Sequence, residues 1–372
     1  MSSSFRLSNA LPAIGISQIA LHQPRWQLPN AWYQSIIAKK FVKHTGIEAR
    51  TISDLSEAEL AAASIEALQV KSGCDLNLCA GIAFVSPSLV PMAVANSYLP
   101  RDMARSEQAN RVATELCLSL GIQPRVMVGM NGFCSGYAKA MDYIKHRMLP
   151  GLRLSQREFI ILVTATKISR INDFGCKQSG ALFGDFSTAT LITRMDSYQH
   201  APRYEIIDAS YSKKDASRPF FDFHKKEAVP VPEIDGGIHY EDRLVFKLDG
   251  MGIADTAPRA MAAAASELVA ENSYSPDEID HVVPHQAGTG IVRLTGMKLE
   301  EAGFVAQPIN GLTKQTGNIS SSSVPYALHE NWNNLNGLIA CPVAAVGAPG
   351  KPEVSQGCIL LRRAGTRQSQ AA

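Results

Sequence analysis

No apolar run in this 372-residue chain is long enough to cross a bilayer, and neither sign of charge dominates. The 36 basic residues face 34 acidic ones, a net charge of +2. That balance removes any global argument for nucleic acid or an anionic membrane as a partner. Cysteine pairing is missing too. The seven cysteines are an odd number without CxxC spacing, so neither a metal site nor a disulfide framework is suggested, and a reducing, cytoplasmic setting is expected. The opening MSSSFRLSNALPAIG lacks the basic start and apolar core of a secretory leader. No short-period repeat or low-complexity tract interrupts the chain.

What is present is an ordinary globular composition, 45% hydrophobic, on a length that suits two domains or one large duplicated one. Strand-like apolar runs at 80–85, 126–130, 159–164, 188–193, 281–283, 339–346 and 357–362 alternate with helical spacing at 57–69, 110–120, 254–272 and 288–302. That alternation predicts an α/β fold. The polar stretch 196–203 is expected to join two halves. Residues 210–243, rich in Lys, Pro and acids without clear periodicity, read as a surface excursion, and 86–108, with three prolines, as a long loop. MSSS and GTRQSQAA read as disordered tails.

Three stretches carry chemistry. In RVMVGMNGFCSGYAKAMDYIKHRML an apolar run turns through glycines into a helix whose apolar stripe is Tyr137, Ala138, Met141, Ile144 and Met148. Cys134 falls at that turn, where free backbone N–H groups and the helix dipole favour thiolate, and Gly132 and Gly136 leave room beside the sulfur. A small buried packing residue is the competing reading of Cys134. In DEIDHVVPHQAGTGI, His285 follows a strand end, where α/β folds place ligand chemistry, or else is a satisfied structural histidine. In TKQTGNISSSSVPYAL, Asn318 precedes a serine run entering an apolar helix and is otherwise a turn or cap residue. PVAAVGAPGKPEVSQG ends a strand at Gly347, where a backbone N–H can face a ligand.

In that order the motifs resemble the type III β-ketoacyl-ACP synthases, the initiating condensing enzymes of the thiolase superfamily. The likeness runs over nearly the whole chain, through AIGISQIALHQPRWQLPN, FVKHTGIEART, GFCSGYAKAMDYI, LFGDFSTATLI, LDGMGIADTAP, IDHVVPHQ and GNISSSSVP. The resemblance implies a thiolase-like five-layered α-β-α-β-α fold from two similar halves. Residues 1–198 would carry the nucleophilic cysteine and 199–372 the histidine and asparagine, in a homodimer. It implies Cys134 as nucleophile, His285 and Asn318 as its partners, and the backbone N–H groups of Cys134 and Gly347 as the oxyanion hole. An acyl thioester would load on Cys134, and a malonyl-type or 3-oxoacyl thioester would then lose CO2, its enolate held by neutral His285 and the Asn318 amide. No cofactor is implied beyond the CoA or phosphopantetheine of acyl-CoA, acyl-ACP and malonyl-ACP substrates.

The departures cluster where the acyl donor would bind. Lys40 and His44 stand where the family commonly has Trp and Arg, and Gly288 and Gly290 stand where it often has Asn and Arg. Arg293 and Lys298 are the remaining candidates for a CoA or carrier contact. Lys213, Lys214, Lys225, Lys226 and Arg218 are candidates to meet an acidic carrier protein or else form a solvated face. The glycine loop and the 86–108 stretch are longer than usual. A modified acyl pocket follows, with a medium-chain or specialised donor in fatty acid or secondary metabolite (polyketide or resorcinol-type) biosynthesis. The alternatives are an acyltransferase moving the acyl group to an alcohol or amine, and a catalytically silent partner subunit.

Overall fold

A computed structural model describes residues 11–33, 37, 40–89 and 101–365. The chain opens with β1 (Ile14–His22), then β2 (Trp26–Pro29), which pairs with β3 (Ala49–Ile52) around the short helix α1 (Phe41–Thr45). The helix α2 (Glu57–Ser72) starts at a capping box, Ser56 with Glu59, and stops at Gly73 in the left-handed conformation, φ +68°. Next come β4 (Cys79–Ser86), α3 (Arg101–Ser119) and β5 (Val126–Asn131). The helix α4 (Gly136–Tyr143) continues through a π-turn, Ile144–Met148, into α5 (Leu149–Leu152). β6 (Phe159–Thr166) and β7 (Phe186–Arg194) complete the first set of strands.

After the turn at 196–203, β8 (Tyr204–Asp215) leads to a long hairpin, β9 (Phe221–Pro232) and β10 (Ile238–Leu248). The 22-residue helix α6 (Gly250–Glu271) follows, its first turn capped by the Asp249 side chain accepting from Gly252 N–H. Last come β11 (His281–Val282), α7 (Thr289–Glu301), α8 (Ser323–Glu330), β12 (Leu338–Val346) and β13 (Glu353–Arg363).

Nine strands form one mixed sheet in the order β11-β12-β13-β8-β1-β7-β6-β4-β5, so the early and late strands meet where β1 joins β8. Helices α2 and α3 pack on β4–β7, and α6 and α7 pack on β12 and β13. Helices α4 and α8 share a core with strands from both sets, forming a central helical layer. The succession is helix, strand, helix, strand, helix. Strands β4 and β6 are buried at every residue because both faces are covered, which is why CAGIAFVS and FIILVTAT read as apolar runs and not as alternation.

Two expectations need correction. Residues 101–108 are helical, since α3 begins at Arg101; residues 90–100 of the supposed loop, and the expected tails at 1–4 and 366–372, lie outside the described residues. The expected excursion at 210–243 is instead strand and hairpin. β9 and β10 pair from Phe221↔Leu248 to Pro232↔Ile238, with a bulge between Glu241 and Arg243. Most of the ribbon faces water on both sides, so polar residues fill both and no alternation survives. It is anchored at its base by Phe221, Val245 and Phe246, and again farther out by Val229 and Pro232.

Candidate active site

Cys134 sits in the turn between β5 and α4. Gly136 N–H donates to Phe133 O at 2.7 Å, closing the turn, and Ser135 shares a 2.8 Å hydrogen bond with Ser355 of β13. The two glycines are there for close packing and not to leave room beside the sulfur. A Cβ on Gly132 would come 2.5 Å from the Gly136 Cα, and one on Gly136 would come 2.7 Å from Val85 Cγ1.

The sulfur is half-buried, and burial pushes its pKa up to about 11. The Ser320 hydroxyl, donating at 3.7 Å, and the cysteine's own N–H oppose that shift without overcoming it. The expected depressed thiol is therefore not found; at rest Cys134 is a neutral thiol, because desolvation outweighs the hydrogen bonds.

His285 is 2% exposed and sits just beyond β11, its N–H donating to Pro342 O of β12 at 3.0 Å. Its Nδ1 lies 2.6 Å from Ser323 Oγ, while Nε2 is buried without a partner. Burial pushes its pKa down to about 3, so the imidazole is neutral at physiological pH. Asn318 is held by backbone bonds to the LFGD segment: its N–H donates to Leu182 O at 2.9 Å and its O accepts from Gly184 N–H at 3.1 Å. Its Oδ1 accepts from Ser320 N–H at 2.9 Å, which leaves the Nδ2 end as the donor. Asp185 of that segment accepts from Ser53 N–H and from the Ser169 N–H and hydroxyl, and burial still pushes it up to about 6.

Cys134, His285 and Asn318 thus come together through one turn, residues 318–323. Gly347 does not serve as expected. Its N–H donates to Glu353 O at 3.0 Å across the β12–β13 turn and is spent there, so it cannot also meet an oxyanion. The loop after it is tied down as well, with Gly350 N–H donating to Phe221 O at 2.8 Å.

The outer candidates divide. Lys40, His44 and Arg293 are exposed on α1 and α7, which pack together, whereas Lys298 is paired with Glu301 at 2.6 Å. Gly288 and Gly290 have a structural reason beyond a lost contact: a Cβ on Gly290 would come 2.6 Å from His44 O, so the glycines let α7 seat on α1. Of the cations proposed for a carrier protein, four are already paired. Lys213 meets Glu353, Lys214 meets Glu267, Lys226 meets Asp173 and Arg218 meets Asp249.

Sequence reasoning missed two features. One is an aromatic cluster that includes Phe133, the neighbour of Cys134, edge-on to Phe221 at 4.7 Å, with Phe183 edge-on to Phe246 at 5.3 Å, packed with Ile168, Ile171 and Val346. Its members are scattered from residue 133 to 346, so no local pattern betrays it. The other is the separate work done by Ser320, Ser322 and Ser323 of the SSSS run, for which the run itself was the only signal. A cavity of about 670 Å³ lies under the hairpin tip, between Trp26, Phe174 and Val231, and its lining includes none of the three central residues.

The layered architecture, with the cysteine turn brought to a histidine and an asparagine, defines a thiolase-like fold. Solved structures of 14% and 17% identity share it: Xanthomonas campestris OleA with bound lauric acid and lauroyl-CoA (TM-score 0.64, covering 95% of this chain and 100% of that one), and a priming β-ketosynthase of a polyketide biosynthetic pathway (TM-score 0.68, 95% and 97%). Residues 269–338 match the model for the 3-oxoacyl-[acyl-carrier-protein] synthase III C-terminal domain. The β-ketoacyl-[acyl-carrier-protein] synthase III 2 of Vibrio cholerae is 24% identical over 307 residues, 81% of this chain and 72% of that one. Together these likenesses support a divergent relative of the type III β-ketoacyl-ACP synthases.

Proposed function

We infer that the protein forms carbon–carbon bonds by a two-stage reaction at Cys134. In the first stage the Cys134 sulfur attacks the carbonyl of an acyl-CoA or acyl-ACP thioester. The thiol carrier leaves as thiolate and takes up a proton, and the acyl group stays on sulfur. In the second, a malonyl thioester loses CO2, and the electron pair of the broken bond becomes an enolate whose oxygen accepts hydrogen bonds from His285 Nε2–H and Asn318 Nδ2–H. The enolate carbon attacks the Cys134 thioester, the C–S bond breaks, and a 3-oxoacyl thioester departs.

One observation carries this reading: a thiol, a neutral imidazole with an unpartnered Nε2 and a carboxamide with its donor end available are held by the same turn. The carboxamide also argues against an acyltransferase acting on alcohols or amines, where a carboxylate at 318 would serve as base, and the intact set argues against a silent subunit. For the oxyanion the Cys134 N–H is the donor this geometry supports. The donor is a medium-chain or otherwise specialised acyl group, placed next to the apolar Phe133–Phe221–Phe246 cluster that adjoins Cys134 in the chain.

Intact-protein mass spectrometry tests this, using CoA and ACP thioesters of graded length. The expected result is a single acyl addition that is largest for a medium-chain donor, is absent in Cys134→Ala and is discharged by malonyl-ACP with release of CO2. Acetyl-CoA proving the best donor overturns the donor assignment, and acylation surviving in Cys134→Ala overturns the nucleophile.

A further inference from the structure

Four consecutive serines, Ser320 to Ser323, look interchangeable in the sequence, yet three of them have different hydrogen-bond partners in the fold. Ser320 has φ +50°, a left-handed backbone unusual for a residue with a Cβ. That backbone lets its N–H reach Asn318 Oδ1 while its hydroxyl donates to Cys134 sulfur. Ser322 bonds Thr164 at 2.8 Å and Thr166 at 3.1 Å, fastening the turn to β6. Ser323, fully buried, faces the other way, 2.6 Å from His285 Nδ1, and its oxygen also accepts from Gln286 N–H at 3.3 Å.

A serine hydroxyl has one proton and two lone pairs. If His285 carried its proton on Nδ1, Ser323 oxygen would accept twice, from Nδ1–H and from Gln286 N–H. Its own proton would then need another acceptor, and among the described residues Ser323 oxygen has no further partner. If instead the hydroxyl donates to Nδ1, every atom of the pair is used and the ring proton lies on Nε2. That is the ring atom left buried without a partner. We propose that Ser323 is a positioning residue that holds His285 as the Nε2–H tautomer, making the imidazole a hydrogen-bond donor to substrate and denying it the role of base toward Cys134.

The consequence rests on the two-stage reading above. In loading, the thiol proton passes to water or hydroxide on the sulfur's accessible side, and the departing carrier thiolate is protonated from water; His285 neither gains nor loses a proton. In condensation, Nε2–H donates to the enolate oxygen formed as the C–CO2 bond breaks. The turn therefore serves loading through Ser320 and condensation through Ser323.

The decisive measurement needs no substrate. Long-range 1H–15N correlation on histidine-labelled protein, with the His285 signal assigned by its loss in His285→Gln, reports which ring nitrogen holds the proton. The Nε2–H pattern near neutral pH is expected, and an Nδ1–H pattern overturns the proposal. Kinetics supply the second arm. In Ser323→Ala the ratio of condensation rate to loading rate falls roughly tenfold or more, short of the roughly hundredfold or greater loss seen when an oxyanion donor itself is removed, and Ser323→Thr restores it. An unchanged ratio in Ser323→Ala, with the Nε2–H pattern retained, overturns the role of Ser323. Wild-type protein that accepts an acyl group but never releases CO2 sinks the condensation reading instead, while the tautomer is still decided by the spectrum.

Discussion

At Cys134 desolvation and hydrogen bonding pull against each other, and desolvation wins, leaving a thiol that titrates near 11. Because the thiolate is the nucleophile, alkylation of Cys134 by iodoacetamide is expected to accelerate with pH, without levelling off before about pH 10, and a plateau near neutrality would contradict the geometry. His285 carries the opposite kind of burial cost. Its native pKa is about 3 and its ordinary value 6.5, so between those limits the unfolded chain binds one proton more than the native one. Acidification through that window subtracts stability, and above it this contribution is complete. Denaturation midpoints followed from pH 7 to pH 4 should therefore fall more steeply for wild type than for His285→Gln.

Among the elements, the β9–β10 hairpin supplies the aromatic residues that pack on Phe133, the neighbour of Cys134. Phe246 is 4% exposed and touches both Phe183 and Phe221, so Phe246→Ala should cost about 3–5 kcal/mol in chemical denaturation. The same truncation should move the loading preference toward longer acyl donors. Loss of stability with an unaltered donor series would mean that the cluster is only a brace.

The hairpin is also where reading the sequence failed, and the reason is physical: a ribbon wetted on both faces carries no period-two signal. By contrast β4 and β6 were legible because their burial on both faces forces unbroken apolar runs. The cysteine turn and the His285 strand end were legible from glycine placement and apolar runs. The spent N–H of Gly347 was not, since a bond to Glu353 six residues on depends on how the hairpin closes. Ser323 was hidden for the same kind of reason, its partner lying 38 residues away.

For the molecule as a whole, the central layer joins the two sets of strands. α4 and α8 pack against both sets of strands, and Cys134 and Ser323 sit at the starts of these two helices. Hydrogen exchange should accordingly be slowest in α4 and β6 and much faster around 233–237 at the hairpin tip, where few backbone groups are sheltered. Comparable protection in both regions would show that the hairpin is part of the cooperative core.

The bonds from Ser322 to Thr164 and Thr166 hold the 318–323 turn to the sheet, whereas the ribbon is held by its own buried residues, Phe221, Val229, Val245 and Phe246. On the proposed reading, selectivity and reactivity are carried by separable pieces of chain. A graft that swaps residues 222–247 for another ribbon can retune which chain is accepted while the machinery that breaks and makes bonds is left alone.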